Sequence, residues 1–355
     1  MTPYTARAIR WVETGWVPDG VVRLGIRHLL GERLAEVGAG NSIRTQKLRR
    51  EFIASMRGAE LAPLPEKANQ QHYELPSAFF GEVLGTHRKY SSCYWPEGVR
   101  TLEQAEAAAL ALTCERAGLA DGQEVLELGC GWGSLSLWMA AHYPASRITA
   151  LSNSVSQREH IEAQAKARGL GNLKVLTRDV NVFDTDRRYH RIVSVEMFEH
   201  LRNWPRAFAN IARWLQPEGR FFMHVFAHVG APYAFEERDA SDWMSKYFFA
   251  GGMMPSDDLA PSCQDALRLV QRWRWDGTHY QRTAEAWLHN MDRRRRGLKP
   301  LFAATYGNEA ELWWQRWRLF FMSVAELFGF ESGHRWVVGH YLFEPEQPAG
   351  TLANA

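Results

Sequence analysis

Two short stretches of this 355-residue chain gather residue types that do chemistry. In the first, Glu127-Leu-Gly-Cys-Gly-Trp-Gly133, Gly129, Gly131 and Gly133 follow an apolar run ending at Leu128 and precede a helix opening near Ser134. Glycines there let the backbone turn tightly and let a nucleotide approach closely. A dinucleotide fold would satisfy such a loop too. Three features favour another nucleotide-like cofactor: Glu127 precedes the glycines, Ser134 stands where a dinucleotide fingerprint places its third glycine, and Asp179 follows the third strand-like run. An acid there suits a hydrogen bond to an adenine amino group, and the plain alternative for it is an N-cap. Asn153, Ser154 and Gln157, after the second run, offer neutral hydrogen bonds where an acid commonly binds ribose, or simply form a polar loop. In the second stretch, Val195-Glu-Met-Phe-Glu-His200 sets two carboxylates three residues apart beside an imidazole. Such a cluster accepts a proton from a nucleophile or holds a cation; the bland reading is surface charge.

These residues need a sheet to hold them. Glu124–Leu128, Arg147–Leu151, Leu173–Thr177, Arg191–Val195 and Arg220–Phe226 are short β-type runs spaced by helical text, which predicts βαβ units and a mostly parallel sheet covered on both faces. The chemistry-bearing stretches then fall at the C-terminal ends of strands, where open α/β folds bind ligands. Arg335–Phe343 restores strand character after a long helical, aromatic stretch from Ala227 to about Phe330, read as an insertion over the active face. Val22, Ile26, Leu29, Leu30, Leu34 and Val37 lie at helical spacing, and their stripe is expected to dock on the main domain rather than on a membrane. The resulting division is an N-terminal helical arm over 1–66, a lid and substrate-facing segment over 67–120, the core over 121–228, the insertion over 229–330, a terminal strand in 331–345 and a frayed tail over 346–355. Pro63 and Pro65 mark a linker within 58–69.

Composition sets bounds. Hydrophobic residues make up 46% of the chain, and 42 basic against 40 acidic side chains leave a net charge of +2, so no global field favours nucleic acid or an anionic membrane. Membrane contact is expected to be peripheral at most, and oligomerisation stays open. Cys93, Cys114, Cys130 and Cys263 lack metal-site or disulfide-framework spacing, which with no apolar run of membrane-spanning length points to a soluble cytoplasmic protein without a metal. The fifteen tryptophans fill a core and seam or line an aromatic pocket. Arg293-Arg-Arg-Arg296 is expected to be a solvated helix end, with Gly297 and Pro300 as stop signals.

The motifs together resemble the cyclopropane-fatty-acid synthase superfamily, and within it the coclaurine N-methyltransferase-like group. The resemblance is carried by Val21–Leu30, Gln71–Pro76, Lys89–Tyr94, Glu127–Gly133, Glu196–His200, Tyr247–Ser256, Gly277–Tyr280 and Val324–Gly329. It implies an α/β class I methyltransferase: a Rossmann-like, mostly parallel seven-stranded sheet with an N-terminal helical arm and a helical insertion before the last strands. It implies S-adenosyl-L-methionine as cofactor, held by Tyr90, Ser91, Ser92, Glu127, Gly129, Gly131, Asn153, Ser154, Gln157, Asp179 and Val180. In the amine-methylating branch, positions matching Glu196, Glu199 and His200 bind and deprotonate the acceptor, and those matching Tyr73 and Glu74 face cofactor or substrate. In the lipid branch, positions matching Glu199, His224 and Tyr280 cradle bicarbonate beside an acyl chain. Two features favour a small amine as substrate over a lipid acyl chain: Ser92 stands where the lipid enzymes commonly carry cysteine, and Glu196 is a carboxylate that they can lack. A base supplied by the protein suits an amine, because an ammonium has no lone pair with which to attack a methyl group.

Overall fold

The computed structural model describes residues 3–63, 75–237 and 242–346. Tyr73, Glu74, half of the expected linker and nearly all of the expected tail lie outside these residues. Seven strands form one sheet: β1 (Glu124–Leu128), β2 (Arg147–Ser152), β3 (Leu173–Thr177), β4 (Tyr189–Val195), β5 (Leu215–His228), then β8 (Leu267–Trp275) and β9 (Trp336–Pro345), with β6 (Tyr233–Ala234) and β7 (Met253–Met254) pairing separately. The order is β3-β2-β1-β4-β5-β9-β8; the first five are parallel, and β9 runs antiparallel to both of its neighbours.

Alternation along the strands explains why both faces are covered. On one face Val125, Ile148, Val193 and Phe222 pack on Leu110 and Cys114 of α5 (Leu102–Ala117) and on Leu135 and Met139 of α6 (Ser134–His142). One residue along, Leu126, Ile192, Phe221 and Met223 point to the other face, against Trp204, Phe208 and Ile211 of α8 (Trp204–Trp214). The Thr101 capping box starts α5 and a left-handed Gly118 ends it.

A second, largely helical core joins α2 (Asp19–Glu36), α4 (Ser77–Val83), α10 (Thr278–Arg293), α11 (Arg295–Tyr306) and α12 (Ala310–Gly329). The α2 stripe docks except at Leu29, which is exposed: Val22, Leu34 and Val37 are buried, Ile26 and Leu30 pack against the core, and Arg23 and Arg27 pair with the buried Glu326 at 2.8 and 2.5 Å. Trp243, Trp275, Trp287, Trp314 and Trp317 are buried in this core, so they serve as packing between the helices and the sheet. Among the described residues no helix is long and apolar enough to cross a membrane.

The structure corrects two expectations. Residues 229–330 are not a purely helical insertion, because β8 lies within them and forms the sheet edge; β9 therefore sits between two strands instead of closing the sheet. In Leu267–Trp275 only the two end residues are fully buried, and Arg268, Gln271, Arg272 and Arg274 between them conceal the alternation that an interior strand displays. Gly297 and Pro300 likewise do not stop a helix. After a break at Arg294 a new helix starts at Arg295, with Gly297 and Pro300 inside it, held by Leu298 and Phe302 in the core. Arg294 and Arg295 pair with Glu82 and Glu311.

Candidate active site

The glycine loop does what its position requires, with a different task for each glycine. Gly129, Gly131 and Gly133 all have positive φ, at 78°, 52° and 82°. A Cβ on Gly129 would lie 2.5 Å from Met197, and one on Gly133 2.5 Å from Ile161, so these two permit packing. A Cβ on Gly131 would meet nothing within 4 Å. It would project into a cleft of about 540 Å³, counting the space open at its mouth, lined by Arg88, Lys89, Tyr90, Ser91, Thr113, Glu127, Gly129, Cys130, Gly131, Trp132, Ser134 and Glu196 among others.

The cleft thus unites the glycine loop with the Tyr90–Ser91 segment and with Glu196, which the sequence places far apart. Asn153, Ser154, Gln157, Asp179 and Val180 are not in its wall; they stand beyond the C-terminal ends of β2 and β3. Asn153 is exposed, Ser154 caps α7 (Val155–Ala167), and Gln157 accepts a hydrogen bond from Ser152 at 2.6 Å. The Asp179 carboxylate accepts from the Asn181 backbone N–H at 2.8 Å, and Val180 packs on the sheet core. Asn181 also bonds both backbone groups of Ala62, tying the arm to the end of β3.

Lys89, Thr113 and Glu106 matter here although their types alone did not single them out, and Ser134 joins them in the cleft wall. Buried Glu106 accepts from the backbone N–H groups of Gly85, His87 and Lys89 at 3.0, 2.8 and 3.0 Å, which fixes the loop that carries residues 88–92. Lys89, buried, donates to Ser91 Oγ and to the Ser92 carbonyl, each at 2.6 Å. Thr113 Oγ1 and Ser134 Oγ in the cleft wall, and Gln157 Nε2 nearby in sequence to Asn153, are buried without a hydrogen-bond partner among the described residues. Glu127 Oε2 accepts from the Ser136 hydroxyl, and burial pushes the Glu127 carboxyl up to about 7. Unspent donors and acceptors, an acid and a glycine with open space ahead of it fit a polar, cationic ligand of nucleoside type.

The carboxylate cluster meets the cleft at Glu196. Glu196 follows the end of β4 with φ +46°, a left-handed conformation costly to a residue with a Cβ, and this turn aims its side chain back toward the sheet edge. Its Oε1 accepts from Ser92 N–H at 2.8 Å and lies 3.2 Å from His224 Nε2; its Oε2 accepts from the Tyr280 hydroxyl at 2.7 Å. Glu199, fully buried, has one oxygen on Phe226 N–H at 2.9 Å, while its Oε2 has no hydrogen-bond partner among the described residues. Burial raises both acids, and the charge of Glu196 raises Glu199 further. Burial and mutual repulsion disfavour ionising both at once, and Ser92 N–H and the Tyr280 hydroxyl donate to Glu196 while a single backbone N–H, that of Phe226, donates to Glu199. The negative charge therefore resides on Glu196. His200 stacks on Phe249 at 4.7 Å, and burial pushes it down to about 4, so it is a neutral imidazole. Tyr280 stacks on Phe328 at 4.3 Å, and His224 lies wholly buried behind Glu196 in β5.

Comparison with known proteins gives this geometry a family. The profile described as mycolic acid cyclopropane synthetase matches residues 64–333. The chain belongs to this family. Within it, the chain is 36% identical to (S)-coclaurine N-methyltransferase of Thalictrum flavum subsp. glaucum, over 95% of this chain and 94% of that one. The solved structure of a coclaurine N-methyltransferase bound to N-methylheliamine and SAH superimposes with a TM-score of 0.93 at 34% identity, covering 96% of this chain and 99% of that one. Cyclopropane-fatty-acyl-phospholipid synthase of Escherichia coli (strain K12) is 32% identical over 66% of this chain and 60% of that one. As a member of the cyclopropane synthetase family with these relatives, the chain is an S-adenosylmethionine-dependent methyltransferase with the expected seven-stranded α/β fold.

Proposed function

We propose that the protein N-methylates a small amine, with Glu196 as the carboxylate that binds the acceptor and takes its proton. The observation that carries this reading is the hydrogen-bond inventory of Glu196. A carboxylate offers about four lone-pair sites, and Ser92, His224 and Tyr280 take three, leaving one on Oε2. An ammonium proton fits that place. Burial, which raises the acid strength of an incoming ammonium and the basicity of Glu196 together, favours transfer of the proton. His200 beside it is neutral, and Glu199, raised by burial and by the charge of Glu196, adds no competing charge.

Tyr90, Ser91, Glu127 and Gly131 in the cleft wall, with Asn153, Gln157 and Asp179 at the neighbouring strand ends, would hold the cofactor, which when bound supplies an electrophilic sulfonium methyl. The protein's own contribution is to orient the amine, strip its proton and exclude water. By resemblance, Tyr73 and Glu74 are assigned to face the cofactor or substrate. The four cysteines are all free and buried, which supports a reducing, cytoplasmic setting.

The same cluster argues against a bicarbonate-dependent reaction on an acyl chain. His224 Nε2 and the Tyr280 hydroxyl both face Glu196, so an anion among them would meet a carboxylate instead of donors. Glu196→Gln should keep cofactor affinity and lower amine turnover by roughly a hundredfold or more. Raising the pH should partly restore the rate as free amine accumulates. A cyclopropane product formed only with added bicarbonate, and indifferent to Glu196→Gln, would overturn the proposal.

A further inference from the structure

Behind Glu196 a line of polar contacts runs from β5 across β9 to a cation on α5, all on one face of the sheet. The β5–β9 register sets His224 directly opposite His340, and their rings meet with His340 Nε2 3.0 Å from His224 Nδ1. Arg116, from α5, lies with Nη1 2.7 Å from His340 Nδ1. Trp275 packs against both imidazoles, with centroids at 5.4 and 4.3 Å, and the Arg116 guanidinium lies over Trp273 and Trp275 at 5.0 and 5.8 Å. Both histidines are fully buried.

The direction of every hydrogen bond in this line follows from its cationic end. A guanidinium has only donors, so His340 Nδ1 is the acceptor and the His340 proton sits on Nε2. His340 Nε2–H then donates to His224 Nδ1, and His224 carries its own proton on Nε2, aimed at Glu196 Oε1. Burial and the neighbouring positive charges hold both rings neutral, so each has one proton to place.

We propose that Arg116 and His340 are positioning residues for the methyl transfer, fixing His224 as the Nε2–H tautomer and so keeping one of the three donors on Glu196. This rests on the reading of Glu196 as the group that takes the amine proton. Without the lock, His224 is free to carry its proton on Nδ1 and to turn a lone pair toward the carboxylate. Glu196 then has two donors, and its carboxylate is harder to form. The other titratable groups facing Glu196 are Lys89 and Cys93 from the loop before α5, Tyr280 from α10, and Glu199 and His200 from its own turn; Tyr90 faces Tyr280, and Lys89 also faces both histidines. None of them contacts His340 Nδ1, so Arg116 substitutions act through the histidine pair.

Two measurements on the full chain test the proposal separately from the amine reading. Long-range ¹H–¹⁵N spectra of the protein labelled on its histidines, assigned with His224→Gln and His340→Phe, should show Nε2–H on both rings in the wild type. Arg116→Met should convert part of the His340 and His224 signals to Nδ1–H. In amine turnover, Arg116→Met and His340→Phe should move the acid limb of the kcat–pH profile upward by about one pH unit, the shift expected for losing one hydrogen bond to a charged group. Arg116→Lys, which still donates, should return it. An Nδ1–H tautomer on wild-type His224, or tautomers and pH profile that stay fixed while Arg116→Met only lowers the melting temperature, would overturn the proposal. If no amine is turned over, the Proposed function fails and the spectra still decide the tautomers.

Discussion

Glu127 makes cofactor binding a proton-linked event. Its carboxyl lies buried at the end of β1 in the cleft wall, with the Ser136 hydroxyl on one oxygen, and burial raises it to about 7. At pH 7 such a group is protonated in about half of the molecules. The cofactor is cationic at its amino group and its sulfonium, and a cation within a few ångströms lowers a carboxyl by about 1–3 pK units. A drop to about 5 leaves roughly 1% protonated, so binding should release about 0.5 proton per site at pH 7. The sign follows: affinity should strengthen as pH rises from about 5 to 7, by up to about tenfold per unit, and level off above. Calorimetric titrations in buffers of different ionisation enthalpy read the released proton directly. The same titrations with Glu127→Gln, which cannot ionise, should lose this release, and the difference between the two proteins isolates Glu127 from Glu106, which burial also raises to about 7. Binding heats independent of buffer in the wild type, or a release unchanged in Glu127→Gln, would refute the reasoning.

Further outcomes follow from two glycines. Gly131→Val projects a side chain into the open cleft and should abolish S-adenosylmethionine binding by calorimetry, while the added strain of a positive φ costs the fold about 2 kcal/mol in thermal denaturation. Gly277 precedes the helix that presents Tyr280, and a Cβ there would lie 2.1 Å from the Phe328 carbonyl and 2.3 Å from that of Trp336. Gly277→Ala should therefore lower the melting temperature and slow turnover together, whereas Tyr280→Phe should slow turnover with little loss of stability.

Much of this was legible in the sequence because the relevant signals are local. The buried parallel strands read as apolar runs, and the glycine loop and the Glu196–His200 turn follow the ends of two of them. β8 was not legible, since an edge strand buries only Leu267 and Trp275 fully and its arginines read as surface. Neither Arg116 nor His340 stood out, because one basic residue near a helix end and one histidine in an apolar strand carry no meaning until the β5–β9 register joins them. The separate tasks of Gly129, Gly131 and Gly133 likewise depend on neighbours, Met197 and Ile161, that arrive from other elements.

The central claim is that a nitrogen, not a carbon–carbon double bond, receives the methyl group. The direct measurement is a turnover screen with isotopically labelled S-adenosylmethionine against tetrahydroisoquinoline amines, aryl-ethylamines and unsaturated phospholipids, read by mass. The account predicts labelled methyl on the nitrogen of at least one amine, lost in Glu196→Gln at neutral pH and partly regained at higher pH. Label found only in the acyl chains of the phospholipids would contradict it.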